Sequence, residues 1–460
     1  MSEQPVTKQK SSFFRFTRPE WSWMLYDFTT NAYATIILTT IFPIYFNAVA
    51  GDASLGLQLK GYAQSFIMLV AAVSCPIIGA IGDIQGMKKR MWAGFAFSGA
   101  ILTVAMAFGA SWQFLLVGYI LSNIAYNSAN LFYDSFLTDV TDHDRMHKVS
   151  TSGYAFGYIG GGTVMLVITA ILMFTLPDSS IVARLSFGLT ALWWIVFSMP
   201  MAFRVQQTHY NPKPQREVLH TLFQQLGRTA KSIIANKGLL MFTLAFFFYI
   251  DGVGTVITMA TSYGSTLQLD STWMIVAILV TQVVAMPFSL LFGWLAGRFG
   301  GIHLITVAIG IYVVICVMGF YMGYSINSVP QGSDAQQAAI SRGIVLFFVM
   351  AGLVGTSQGG IQALSRSQFG RMVPPERSNE YFGFFNIFSR FASIIGPALM
   401  ALVTGLTHGR SEFGILSVII LFAVGGVLLV GGRKPIKVSE NEALQMSQAA
   451  DDAIPVEPLS

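Results

Sequence analysis

Asp251 and Arg390 each stand about halfway along a long apolar segment, where an ionised side chain costs about 2.5 to 3.5 kcal/mol on insertion scales. An acid and a base kept at that depth can pair with each other, or each can hold one end of a zwitterionic solute. A fixed ion pair that only shields both charges is the alternative. Asp27 and Asp134 lie nearer the ends of their segments, where water and snorkelling reduce the cost. They suit a cavity or a gate, although the positive end of a helix dipole also favours an interfacial Asp27.

Uncharged polar residues extend these positions into stripes. The fourth apolar segment carries Asn123, Asn127, Asn130 and Asp134 at i, i+4, i+7 and i+11, one face of a helix. The seventh repeats the spacing with Asp251, Thr255, Thr258 and Ser262. Gln358, Gln362 and Ser365 mark the tenth, Asp27, Asn31 and Thr35 the first, and Asn386, Ser389, Arg390 and Ser393 the eleventh. Amides of this kind can be interhelical glue worth about 0.6 kcal/mol each. Whole stripes on several helices fit a water-filled cavity better. Gly153, Gly157 and Gly161 at four-residue spacing make a close-packing face instead.

The elements that position these residues are membrane helices. A chain of 460 residues with 53% hydrophobic and only 11% charged residues lacks the charge that soluble domains of this size carry. Stretches of the roughly 20 residues needed to cross the hydrocarbon run over 24–46, 62–82, 91–109, 113–137, 151–175, 185–203, 239–262, 273–296, 302–322, 343–364, 381–404 and 413–432. No cleavable signal peptide is read at the N-terminus. Cys75 and Cys316 fall inside apolar segments and are assigned to packing.

The net charge of +5 follows the loops, which argues for topology and against nucleic acid. With the N-terminus inside, 22 Lys and Arg lie on the inner side and four, Lys60, Arg184, Arg342 and Arg410, on the outer. The positive-inside rule then places both termini in the cytoplasm. The longest polar connection splits the helices six and six, and Gly79, Asp83 and Gly86 find a counterpart at Gly293, Gly297 and Gly300, where the acid is missing. The expected fold is an all-α polytopic protein of 12 transmembrane helices in two pseudo-symmetric halves. The domains are a cytoplasmic segment 1–23, a half 24–203, a connecting loop 204–237, a half 238–432 and a disordered tail 433–460. Leu219, Leu222, Phe223, Leu226, Ala230 and Ile233 predict an amphipathic helix within the connection.

Chemistry other than transport has one candidate cluster: His143 and His147 with Asp139, Asp142 and Asp144. A membrane-embedded transferase could use it. The zinc pattern with Glu beside the first His is absent, and a solvated charged turn is the simpler reading. No metal or cofactor is expected, and no phosphate loop for direct ATP drive is present.

The turn GAIGDIQGMKKR resembles the loop between helices 2 and 3 of major facilitator transporters, whose parallel halves match the repeat here. That resemblance implies gating roles for Gly79, Asp83, Gly86, Lys88 and Lys89, with Asp83 contacting the neighbouring half in the outward-open state. More narrowly, YDFTTNAYATIILTTIFPIYF, YIDGVGTVITMATSYG and GGIQALSRSQFGRMVPPERSNEYFGFFNIFSRF are similar to the vacuolar amino-acid effluxer-like branch, also called the unknown major facilitator family. Thr30 departs from the Asn or Ser common beside Asn31. The resemblance implies a monomeric secondary transporter of a small polar or zwitterionic solute, with amino-acid efflux, alternating access and proton coupling as the leading expectation and multidrug or sugar efflux as the alternative. The short loops suggest a bacterial inner membrane.

Overall fold

Polar side chains at the first turns start the helices, and apolar length carries them across. In the computed structural model, which describes residues 15–51, 53–109, 111–212, 215–330 and 332–452, Thr17 and Glu20 form a reciprocal capping box ahead of the first helix. Ser111, Asp178, Asn236 and Ser333 each accept a backbone N–H at the start of a later helix. In the first half the helices are α1 (Arg18–Val49), α2 (Ala53–Gly82), α3 (Met87–Ala107), α4 (Trp112–Ser135), α5 (His143–Thr175) and α6 (Ser179–Arg204). In the second they are α7 (Lys237–Thr266), α8 (Ser271–Phe299), α9 (Gly301–Asn327), α10 (Asp334–Gly370), α11 (Ser378–Leu406) and α12 (Ser411–Gly431).

Eleven of these twelve are long and apolar enough to cross a membrane, counting only described residues. The exception is α4. Its 24 residues suffice in length, but Asn123, Asn127, Asn130 and Asp134 dilute its hydropathy. The polar stripe of α4 therefore hides it as a span.

Each half has its own core. Trp23, Tyr26, Tyr33, Trp92, Tyr133 and Trp194 anchor the first, and Phe242, Phe246, Tyr249, Tyr312, Phe382 and Phe422 the second. The halves meet where α2 packs along α11 and α5 along α8. Both α1 and α5 contain a π-helical segment, Ala34–Thr40 and Tyr158–Thr163, a distortion often found at functional positions. Cys75 and Cys316 are both buried.

Two connecting segments differ from expectation. The helix Leu222–Ala235 does form, but its buried face is Leu222, Gln225, Thr229 and Ile233, while Phe223 is 77% exposed. Polar partners explain the shift: Gln225 donates to Glu380, Arg377 donates to Thr229, and Tyr381 donates to Ser232 at the start of α11. The tail expected to be disordered instead forms α13 (Arg433–Asp452). Ile436, Ser439 and Ala443 give it a buried face, and Glu440 ties it to Arg371 and Gln368 of the α10 end. The tail reads as polar because only one narrow stripe of it packs. Residues 453–460 lie outside the described residues.

Candidate functional site

We call the end of the bundle that carries the α2–α3 turn and the central connection the connection face. There α2 ends and Asp83 follows in the turn, completely buried. Its carboxylate accepts the Asn379 N–H at 3.0 Å, the Asn379 amide at 2.8 Å and the Glu380 N–H at 2.9 Å. These are orphan donors in the first turn of α11, so an acid of one half caps a helix of the other. Gly79 lies directly against the Asn379 carbonyl, where a Cβ would collide with backbone. Gly86 has φ +73° and opens α3 from a left-handed conformation.

Lys88 is buried as well and donates to Asp139 at 2.6 Å, to Ser378 at 2.9 Å and to the Ser135 carbonyl at 3.4 Å. Asp139 also accepts from the Thr208 and His209 N–H groups. Gly79, Asp83, Gly86 and Lys88 thus converge on one junction between the halves. Lys89 does not: it is half-exposed and makes no hydrogen bond or ion pair among the described residues.

Electrostatics differ sharply across this junction. Burial pushes the Asp83 carboxyl up to about 7, against the lowering effect of Lys88 and of the α11 N–H groups, with Glu380 adding repulsion. Burial would also raise Asp139, but the Lys88 ammonium and the His209 donors outweigh it and hold that carboxyl below its ordinary value.

Deeper in the bundle a second junction forms around a residue that the sequence reading missed. Arg366 of α10 is buried and donates to the Ser150 hydroxyl and carbonyl at 3.0 and 3.1 Å and to Asp134 at 3.2 Å. Its guanidinium is 3.6 Å from Asp27 and packs over the rings of Trp23, Tyr133 and Tyr154. Asp27 in turn accepts from the Tyr133 hydroxyl at 2.5 Å and from Thr30. A base of the second half therefore neutralises two acids of the first. Arg366 falls just past the apolar stretch 343–364, so it counted as a loop charge. The available signal was spacing, since Gln358, Gln362 and Arg366 stand at i, i+4 and i+8.

The remaining predicted residues fall into separate groups. Asn127 donates to Asn123 at 2.8 Å, and the Asn123 amide nitrogen and the Asn127 and Asn130 oxygens are buried without partners among the described residues. Asn31 donates to the Asp27 carbonyl and lies in the groove left by Gly157 and Gly161, so the glycine stripe of α5 seats the polar face of α1. Asp251 is buried with one carboxylate oxygen accepting the Gly396 N–H at 2.9 Å and the other unpartnered among the described residues. Thr255 donates to the Asp251 carbonyl, and Gly396 sits against both side chains.

Asn386 makes only a bond within its own helix, to the Phe382 carbonyl. Gln362 is half-buried with no hydrogen bond among the described residues. Gln358 lines an apolar cavity of about 140 Å³ inside the second half, together with Gln282, Phe347 and Met350. The Arg390 and Ser393 side chains lie outside the described residues. Arg390 precedes Gly396 by six positions, or about 9 Å of helix rise.

Of the His and Asp residues considered for catalysis, His143 and Asp144 lie 3.9 Å apart. His143 contacts the Arg371 carbonyl, His147 the Ser367 hydroxyl, and Asp139 belongs to the Lys88 junction.

Comparison with known proteins converges on one family. The model for the family described as vacuole effluxer Atg22 like matches residues 59–435. The chain is similar to the uncharacterized MFS-type transporter YxiO of Bacillus subtilis (strain 168), at 40% identity over 95% of this chain and 99% of that one. It is also similar to autophagy-related protein 22 of Eremothecium gossypii, at 23% identity over 93% of this chain and 94% of the relative. The fold is that of the proton:xylose symporter XylE, with a TM-score of 0.66 at 13% identity, covering 90% of this chain and 95% of that structure.

Proposed function

Because the chain belongs to the vacuole effluxer Atg22-like family and is an integral-membrane transporter of the major facilitator superfamily, we propose that it exports a small polar or zwitterionic solute, an amino acid in the leading case, by proton-coupled alternating access. One observation carries this reading. Among the described residues, the interior of the first half holds amide donors and acceptors without partners at Asn123, Asn127 and Asn130, and the second half holds an unpartnered carboxylate oxygen at Asp251. Buried polar atoms left unpaired cost about 1 to 3 kcal/mol each, so a ligand bearing both donors and acceptors gains by filling them.

In this reading Asp251 takes up the coupling proton, and Asp27 and Asp134 hold Arg366 while the connection face is shut. Arg390 meets the solute carboxylate. The protein works as a monomer in a bacterial inner membrane with both termini in the cytoplasm. A second reading, efflux of apolar drugs, draws on the Phe347 and Met350 cavity; competition between drugs and amino acids separates the two.

The test is counterflow of radiolabelled amino acids in proteoliposomes, with and without a proton gradient. Saturable exchange with gradient-driven accumulation is expected, and Asp251→Asn should keep exchange while losing accumulation. Accumulation unchanged in Asp251→Asn refutes the coupling role, and the absence of exchange by folded protein refutes the amino-acid reading.

A further inference from the structure

The two halves are built alike at the connection face, except for one missing carboxylate. In the first half Gly79 lies against Asn379, and four residues later Asp83 caps the start of α11. In the second half Gly293 lies against Thr151 of α5, and four residues later stands Gly297, where a Cβ would meet nothing within 4 Å. The helix starts correspond too. A short 3-10 turn, Pro375–Arg377, precedes Asn379, and the turn His143–Arg145 precedes His147. The position matching Asp83 is therefore open beside His147, and neither α5 nor α9 receives a side-chain cap.

A cavity of about 510 Å³ occupies that position, lined by Gly297, His147 and the first residues of α9. This is room for an oxyanion and several waters at about 30 Å³ each. His147 is 7% exposed, and its Nε2 makes no hydrogen bond among the described residues. Arg371, Arg433, Lys437 and His303 line the same space. Two carboxylates also face it: Glu440 is already bound by Arg371 at 2.7 Å, and Asp144 is turned to solvent. Arg433 and Lys437 remain, and the Arg433 Nε is buried without a partner among the described residues. Guanidinium, ammonium and the uncapped helix start are the groups that bind phosphate.

We propose that this cavity binds a phosphate group, which takes the place of the missing acid and fastens α5 to the α8–α9 turn and α13. The phosphate has two candidate sources, a free ion or the headgroup of an anionic lipid. Bound there, it stabilises the shut connection face, so its concentration sets how readily that face opens, whichever solute is carried.

The test uses the full chain in detergent with inorganic phosphate at constant ionic strength, and in nanodiscs of phosphatidylcholine with or without phosphatidylglycerol. Phosphate should raise the melting temperature by several degrees. Arg433→Gln and Lys437→Gln should weaken the response at least tenfold, while Lys434→Gln, at an exposed cation beside the cavity, should leave it intact. Gly297→Asp supplies the carboxylate from the chain itself; it should start from a raised melting temperature and no longer respond. A response to phosphatidylglycerol alone, with the same variant pattern, identifies the headgroup as the source and upholds the site. No response to either probe, or one that Arg433→Gln and Lys437→Gln leave unchanged, overturns it. These two variants decide the matter if Gly297→Asp does not fold.

Discussion

The α2–α11 junction and the α5–α8 junction descend from one pattern but close differently. The first is closed by the chain's own groups: Asp83 accepts from Asn379 and Glu380, and Lys88 donates to Asp139 and Ser378. At the second, Gly297 leaves a cavity, and His147 turns its Nδ1 to Ser367 instead. The difference teaches that a duplicated junction between halves need not close both copies in the same way. Between them sits Arg366, which crosses from one half to two acids of the other.

The strongest way to break the comparison is to remove that crossing. Arg366→Ala removes the guanidinium beside Asp27 and Asp134, and breaking a buried pair costs about 3 to 5 kcal/mol. A large fall in melting temperature and loss of transport are expected, with recovery on adding Asp27→Asn and Asp134→Asn. Unchanged stability in Arg366→Ala would mean that the cluster is solvated and carries no gate.

Gly79→Ala against Gly293→Ala sharpens the contrast next. A Cβ at residue 79 meets the Asn379 backbone, which cannot give, whereas at residue 293 it meets the Thr151 side chain, which can rotate. Overpacking of about 1 to 3 kcal/mol is expected for the first and clearly less for the second. Spin-label distances across the connection face should lengthen only in Gly79→Ala.

The smallest effect is a pH dependence confined to the first junction. Asp83 has its carboxyl raised to about 7 in the shut state, so shutting takes up a proton once the pH lies below that value. Stability of the shut face is then present at low pH and lost as pH rises from the ordinary carboxylate range through about 7. Between pH 6 and pH 8 the shut-to-open ratio should fall about tenfold, read by the same distances. Asp83→Asn should flatten the response; an equal response in that variant assigns it elsewhere.

Much of this arrangement was legible in the residue order. Apolar length located the helices, and four-residue spacing found the α4 amides, because both depend only on local periodicity. Arg366 was not legible as a buried base, since a charge at a helix end looks the same whether it meets water or the other half. The α13 helix escaped for a related reason: its packing partners, Asn236 and Arg371, are remote in sequence. The placing of Asp251 and Arg390 at one depth also needs refinement, because Asp251 bonds to Gly396, six residues beyond Arg390.

The strand-like stretch after α6 carries a practical corollary. Asn211 donates to the Asp83 carbonyl, Gln207 bonds to Gly82 and to Lys88, and Thr208 and His209 fasten to Asp139. Residues that look like linker are thus stitched to the six helices before them. Anyone wishing to produce the two halves as separate polypeptides should cut after Asn211, since a cut at Arg204 hands the first half's own fastening to the second.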